Sequence, residues 1–433
     1  MDLRVRPCDG LVGTIRVPGD KSISHRAAIL GSLATGQTKI DGFLQSVDCL
    51  STLACLDLLG VKFSWDAGAL LIDGGGRRGL SEPTEVLDAG NSGTTMRLLA
   101  GVVAGYDFLS IFTGDASLRK RPMDRVAQPL REMGARVDGR GDGRFPPLAI
   151  RGGFLKPISY RTPVPSAQVK SAILLASLYA SGVSRVAESS TSRDHTERMM
   201  NYFGIPIEKR DGWVDIGPVT EDPRGRPVTI PGDISSAAFL IAVAACSPGS
   251  KLRVENVGVN PTRTGLLDVL RTMGATIELD KEREVCGEPV ADVVVTGTKL
   301  QGATVAGGMI PRLIDEIPAL VVAAAKAEGA TVVRDASELR VKETDRIREL
   351  AAGLGQLGVV VEPRTDGLAI EGPQEIRGGV ASSSGDHRLA LALACAGLLA
   401  RQEVIVRDFA CADVSFPGFI NVLVDLGVQV DVA

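Results

Sequence analysis

Residues 130–135 read LREMGA, and five other stretches of the chain repeat that form: LDLLGV (56–61), MNYFGI (200–205), LRTMGA (270–275), LGQLGV (354–359) and LVDLGV (423–428). Each closes an amphipathic run with an apolar residue, a Gly, and then Ala, Val or Ile. The glycines stand at 60, 134, 204, 274, 358 and 427, at intervals of 69 to 84 residues. A helix with Gly just past its C-terminus, handing the chain on to a strand, explains the pattern. Val126, Leu130 and Met133 fall on one helical face, as the core side of a surface helix requires.

A second kind of helix is expected in every unit. Its segments are 22–36, 91–105, 166–182, 233–249, 311–329 and 385–400, all small or apolar on most faces and therefore expected to be buried. The two helix sets alternate, with short strands such as TVVRDA and EVIVRDF between them. The expected fold is thus α/β, built from six units of about 70 residues. RVPGDKS (16–22) and TIPGDIS (229–235) echo each other, and both follow a β-like segment and open a buried helix. They divide the six units into two similar domains of three. The predicted domains are 19–232, and 1–18 together with 233–433, with crossings near Gly19 and Gly232.

Composition narrows the function classes. The net charge of −4 gives no surface field for nucleic acid, so an anion site must be local. No apolar run reaches the roughly 20 residues that a membrane span needs. MDLRVRPCDG lacks the apolar stretch of a signal peptide. The seven cysteines are odd in number with no C-x-x-C pair, which suits reduced thiols. With three histidines and no H-E-x-x-H, no metal is expected. Neither GGGRRG (74–79) nor GRGDG (139–143) joins a strand to a helix as a dinucleotide loop would, and both read as turns. A cytoplasmic monomer is expected.

The charged residues gather at helix starts. Lys21, Ser22, Ser24 and Arg26 open the first buried helix, and Asn91, Ser92, Gly93, Thr94 and Thr95 the second. Ser166 and Gln168 open the third. Asp315 and Glu316 are placed in the first turns of the fifth, while Asp386, His387 and Arg388 open the sixth. Ordinary capping accounts for a Ser or Asp there. It does not account for Lys21, Arg26 and Arg388, because a cation at a helix N-terminus is unfavourable unless an anion is present. The exposed helices begin with a second set: Ser117 to Arg121, Ser192 to His195, Asn260 to Arg263, and Lys342, Glu343 and Arg346. One such set is normally a solvated face. Recurrence at the same point of several units favours a shared site for a small, multiply anionic substrate.

These residues carry a specific resemblance. VPGDKSISHRA, LDAGNSGTTMRL, KRPMDRV, PVPSAQVKSAIL, TSRDHTERM, NPTRTG, PRLIDEIPAL, ELRVKETDRI and SGDHRLALA resemble the EPSP synthase family of enolpyruvyl transferases across essentially the whole chain. The resemblance implies two similar domains, each of three βαβαββ-type units with buried parallel helices, closing on substrate. It implies transfer of the enolpyruvyl group of phosphoenolpyruvate to the 5-hydroxyl of shikimate 3-phosphate, in the shikimate pathway, without cofactor. By this likeness Lys21, Ser22, Arg26, Ser166, Ala167, Gln168, Arg193, Asp315 and Lys342 would contact shikimate 3-phosphate. Phosphoenolpyruvate would meet Lys21, Gly93, Arg121, Gln168, Glu343, Arg346, His387 and Arg388. Asp315 would accept the proton, with Lys21 and Glu343 as the other proton-transfer groups. The site would lie in a cleft between the halves.

Three positions depart from the enteric and plant type. Ala167 replaces a second Ser, Leu98 a Pro, and Val414 a Lys that would touch phosphoenolpyruvate. These resemble Bacillus-type members, and no contact is carried over to Val414. The nearest rival is the sister enzyme that uses UDP-N-acetylglucosamine. That family has a loop Cys and opens with Lys-Asn, whereas TGDASLRKRP (113–122) has no Cys and Lys21 is followed by Ser22. The other rival, a non-catalytic anion binder, would not need Lys21, Asp315, Glu343 and Arg388 together.

Overall fold

All six glycines of the repeat have positive φ, from +77° at Gly427 to +106° at Gly134. That backbone conformation ends a helix and favours a residue without Cβ. In a computed structural model, which describes residues 1–432, the repeat yields six four-stranded sheets of one design. The unit containing LREMGA illustrates it. Strand Leu87–Asp88 leads into helix Gly93–Val103, strand Leu109–Thr113, helix Asp124–Glu132, and the hairpin Arg136–Gly139 and Phe145–Arg151. Leu87 pairs in parallel with Phe112, Phe112 antiparallel with Leu148, and Ile150 antiparallel with Val137. The one parallel pair needs a crossover, and the buried helix supplies it.

Two compact units divide the chain. The first is Gly19–Ile230 with Val285–Glu288. The second is Met1–Pro18, Pro231–Glu284 and the chain from Pro289 onward. The first unit closes its own opening sheet with distant residues: Val228–Thr229 runs parallel to Thr35–Asp41, with Val228 opposite Ile40. In the second unit Val12–Ile15 runs parallel to Lys251–Gly258. Leu3–Val5 lies between Val404–Arg407 and Val430–Val432. Each unit has its own apolar core.

The buried helices are Lys21–Leu33, Gly93–Val103, Ala167–Ser177, Ile234–Cys246, Ile317–Ala324 and His387–Leu398. Every residue of Ile234–Cys246 is buried. Burying each of Phe239, Leu240 and Ile241 is worth about 1.5–3 kcal/mol. Small residues let helices approach: a Cβ on Gly101 would lie 2.3 Å from the Ala172 carbonyl oxygen. Side chains of Asp20, Ser92, Ser166, Asp233 and Asp386 cap five of the six, each accepting a backbone N–H.

Two expectations change. The buried helices are shorter than their sequence segments, and strand Thr35–Asp41 begins inside 22–36. The fifth is broken into Ile310–Leu313 and Ile317–Ala324. Asp315 and Glu316 sit in the break rather than in the helix's first turns. Pro318 has no N–H to offer the Ile314 carbonyl, so the helix cannot run through.

The exposed helices bury one stripe, as with Val126, Leu130 and Met133, all at most 1% exposed. GRGDG forms the hairpin turn at 139–143, with Gly141 and Asp142 left-handed. Among the described residues no helix is long and apolar enough to cross a membrane, and no group of His, Cys, Asp and Glu suits a metal.

Candidate active site

In the first unit the starts of three buried helices carry interlocking polar side chains. Lys21 is the first residue of its helix, and its ammonium contacts the Asp48 carboxylate. Arg26, one turn on, is buried. Its Nε donates to Thr196 Oγ1 at 2.6 Å, Nη2 to Ser171 Oγ at 2.8 Å and Nη1 to the Ser22 carbonyl at 2.9 Å. Burial, opposed by Glu197 and Asp20 and reinforced by the nearby Arg193 charge, lowers the Arg26 pKa to about 10. Burial is the larger effect, and the Glu197, Asp20 and Glu288 carboxylates supply part of the compensating charge. Cys49 Sγ lies 3.8 Å from the Lys21 carbonyl, but burial pushes its thiol up to about 12, so no thiolate nucleophile stands there.

The second and third helices meet through Gln168. Its Oε1 accepts from Arg97 Nη1 at 2.6 Å and its Nε2 donates to Thr94 Oγ1 at 2.8 Å. Arg97 also donates to the Pro122 carbonyl at 3.1 Å. Arg121 Nη2 donates to Asn91 Oδ1 at 2.6 Å. A Cβ on Gly93 would lie 2.6 Å from Arg97 Nη1 and 3.7 Å from Arg121 Nη1, so a side chain at 93 would displace the Arg97 guanidinium. Ser166 caps the third helix, Ala167 begins it, and Arg193 lies in the loop before helix His195–Tyr202.

In the second unit Arg346 is the hub. Its guanidinium, 2% exposed, meets Asp386 Oδ2 at 2.8 Å through Nε and Glu343 Oε2 at 2.6 Å through Nη2. Nη1 lies 3.3 Å from Asp315 Oδ1, and Lys342 Nζ lies 3.3 Å from the same oxygen. Burial alone would lower the Arg346 pKa, but Asp386, Glu343 and Asp315 outweigh it and hold it well above its ordinary value. Burial would raise Asp386, yet Arg346 and His387 hold it below the usual carboxylate range. The carboxylates differ in access: Asp386 is 0% exposed, Asp315 15% and Glu343 24%. Asp386 is closed off, holding Arg346, the Thr344 hydroxyl and the Arg388 backbone N–H, while Asp315 and Glu343 keep accessible surface. Arg388 Nη1 donates to the Ser235 carbonyl at 3.1 Å, and its backbone N–H to Asp386 Oδ1 at 2.8 Å. His387 opens the same helix and is buried. Val414 ends a short 3-10 helix and brings no charge.

The predicted residues therefore fall into two sets. Lys21, Ser22, Arg26, Gly93, Arg121, Ser166, Ala167, Gln168 and Arg193 lie in the first unit. Asp315, Lys342, Glu343, Arg346, His387 and Arg388 lie in the second. The structure adds Asp48 and Arg97 as their partners and shows Asp386, already placed at the start of the sixth helix, holding Arg346. Asp386 was readable in GDHR as a cap. Asp48 and Arg97 gave no local signal, because their partners are distant in sequence.

The family profile described as EPSP synthase (3-phosphoshikimate 1-carboxyvinyltransferase) matches residues 5–423. The chain belongs to that family. A 3-phosphoshikimate 1-carboxyvinyltransferase of Pelotomaculum thermopropionicum is 55% identical over 98% of both chains. Another, from Brevibacillus brevis, is 51% identical over 98% of this chain and 99% of its own. The solved EPSP synthase of Acinetobacter baumannii superposes with a TM-score of 0.88 at 41% identity, covering all of both chains. The enolpyruvyl transferase NikO of Streptomyces tendae, at 18% identity and a TM-score of 0.81, shares the fold.

Proposed function

We propose that the chain transfers the 1-carboxyvinyl group of phosphoenolpyruvate to the 5-hydroxyl of shikimate 3-phosphate, releasing phosphate. Family membership over the whole chain supports the reaction. The observation that carries the chemistry is the Arg346 cluster, in which Asp315 and Glu343 sit partly open beside Lys342. Phosphoenolpyruvate brings a carboxylate and a phosphate, and shikimate 3-phosphate brings the same two groups. Several cations must neutralise them before they approach.

Shikimate 3-phosphate is assigned to Lys21, Ser22, Arg26, Ser166, Ala167, Gln168, Arg193, Asp315 and Lys342. Phosphoenolpyruvate is assigned to Lys21, Gly93, Arg121, Gln168, Glu343, Arg346, His387 and Arg388. A proton delivered to the methylene carbon leaves cationic character at C2. The 5-hydroxyl oxygen attacks that carbon as Asp315 takes its proton, giving a tetrahedral intermediate. A proton then leaves the methyl carbon, the C–O bond to phosphate breaks, and the vinyl ether forms. Lys21 and Glu343 are the groups proposed to give and take the carbon-bound proton. The seven free thiols fit a cytoplasmic enzyme.

Phosphorus NMR of the chain with both substrates tests the reading. Inorganic phosphate should grow at the expense of the phosphoenolpyruvate signal only when shikimate 3-phosphate is present. Asp315→Ala should slow that growth by several orders of magnitude while shikimate 3-phosphate still binds; near-normal turnover would refute the role given to Asp315.

A further inference from the structure

Glu188 follows strand Ser184–Ala187, and nothing above gives it a substrate contact. Its carboxylate ties three parts of the first unit together. Oε1 accepts the Ser166 backbone N–H at 2.9 Å. Oε2 accepts from the Lys170 ammonium at 2.8 Å and from the Ser192 backbone N–H at 3.3 Å. The Ser192 hydroxyl lies 2.7 and 2.8 Å from the two oxygens. Ser166 caps the helix that carries Gln168, Lys170 lies one turn into it, and Ser192 precedes Arg193.

The cluster is dry. The side chains of Lys170, Glu188 and Glu197 are 3%, 7% and 1% exposed, and Glu197 Oε1 lies 2.9 Å from Lys170 Nζ. Burial would lower the Lys170 pKa, but Glu197 and Glu188 outweigh it and raise it, so Lys170 keeps its proton. The Glu197 charge is shared between this ammonium and Arg26, so the two carboxylates face two cations. Glu197 pairs with Lys170, and Glu188 spends its other lone pairs on Ser166 and Ser192.

We propose that Glu188 is a positioning residue: it fixes the Ser166–Gln168 helix start against the Arg193 loop, so that the shikimate 3-phosphate subsite stands formed before the ligand arrives. The inference rests on the function proposed above. A preformed subsite does not have to order its own loop when the ligand binds. Gln cannot replace Glu188, because its amide nitrogen accepts nothing and would face one or more of four donors.

The test is steady-state phosphate release with each substrate varied in turn, for the unchanged chain, Glu188→Gln and Ser192→Ala. Ser192→Ala keeps the Lys170 ion pair, so it decides the matter even if Glu188→Gln does not fold. KM for shikimate 3-phosphate should rise about tenfold in Glu188→Gln and about threefold in Ser192→Ala, as loss of one or two charge-assisted bonds implies. KM for phosphoenolpyruvate, which shares only Gln168 with this helix start, should rise less than KM for shikimate 3-phosphate, and kcat should stay within about twofold, since the proton-transfer groups are untouched. An unchanged shikimate 3-phosphate KM in Ser192→Ala overturns the inference. So does an equal fall of kcat and rise of both KM values that tracks lost thermal stability. If the unchanged chain releases no phosphate from this pair, the proposed function has failed and the inference with it; release with an unaltered Ser192→Ala removes the positioning role alone.

Discussion

Arg346 and Asp386 are joined twice in the second unit, Nε to Oδ2 at 2.8 Å and Nη2 to Oδ1 at 3.3 Å, with neither side chain more than 2% exposed. Each opens or caps a different helix, so the pair locks two helix starts together. A planar guanidinium matches both carboxylate oxygens, and a lysine cannot. Breaking such a buried pair from one side leaves a charge without compensation. Asp386→Asn should therefore lower the unfolding free energy by about 3–5 kcal/mol in urea denaturation. A loss below about 1 kcal/mol would mean that Glu343 and Asp315 suffice to hold Arg346.

The same pair sets an acid limit. Asp386 is held below the usual carboxylate range in the folded chain, against its burial, by Arg346 and His387. Its contribution is complete above the unfolded value, near about pH 4, and is lost as pH falls through the lower folded value. The stability gap between the unchanged chain and Asp386→Asn should be constant from pH 7 to about 5 and narrow below about 4. A gap that widens on acidification would have the opposite sign to this account.

His25 works in the other direction of charge. Burial, then the Lys21 and Arg26 charges, lowers its pKa well below 6.5, so the folded chain keeps it neutral. Its Nδ1 lies 2.7 Å from Thr52 Oγ1, which in turn lies 2.7 Å from Thr95 Oγ1. Below the unfolded value only the unfolded chain takes up the proton. Stability then falls by about 1.4 kcal/mol per pH unit until the folded value is reached. His25→Asn should remove that slope between about pH 6.5 and 5. An unchanged slope would place the titrating group elsewhere.

Two glycines separate close packing from backbone strain. Gly101→Ala drives a methyl into the Ala172 carbonyl oxygen and should cost about 1–3 kcal/mol, with helices Gly93–Val103 and Ala167–Ser177 forced apart. Gly204, with φ of +85°, has nothing within 4 Å of an added Cβ. Gly204→Ala should cost about 1 kcal/mol through the backbone alone, and Gly204→Asn less, because Asn tolerates the left-handed region. Equal losses for Ala and Asn at 204 would contradict the helix-end role.

The repeat was legible because its marks are local. A glycine at a helix end and a Ser or Asp cap act within a few residues, so LREMGA and PGD could be read without neighbours. The break at Ile314–Glu316 was hidden, since an apolar run masks what Pro318 does to the helix. The polar partners were hidden for a different reason. Arg97 finds Gln168 71 positions away, and Arg26 finds Thr196 at a separation of 170. Those contacts exist only once the units have folded, so the polar residues at helix starts could be recognised while the pairings among them could not.

The proposed reaction stands on the pair of substrates. The decisive measurement is the initial rate of phosphate release from phosphoenolpyruvate with shikimate 3-phosphate, beside the same assay with UDP-N-acetylglucosamine. Release is expected with shikimate 3-phosphate and none above background with the UDP-sugar; release with the UDP-sugar instead, or with neither, would contradict the proposed reaction.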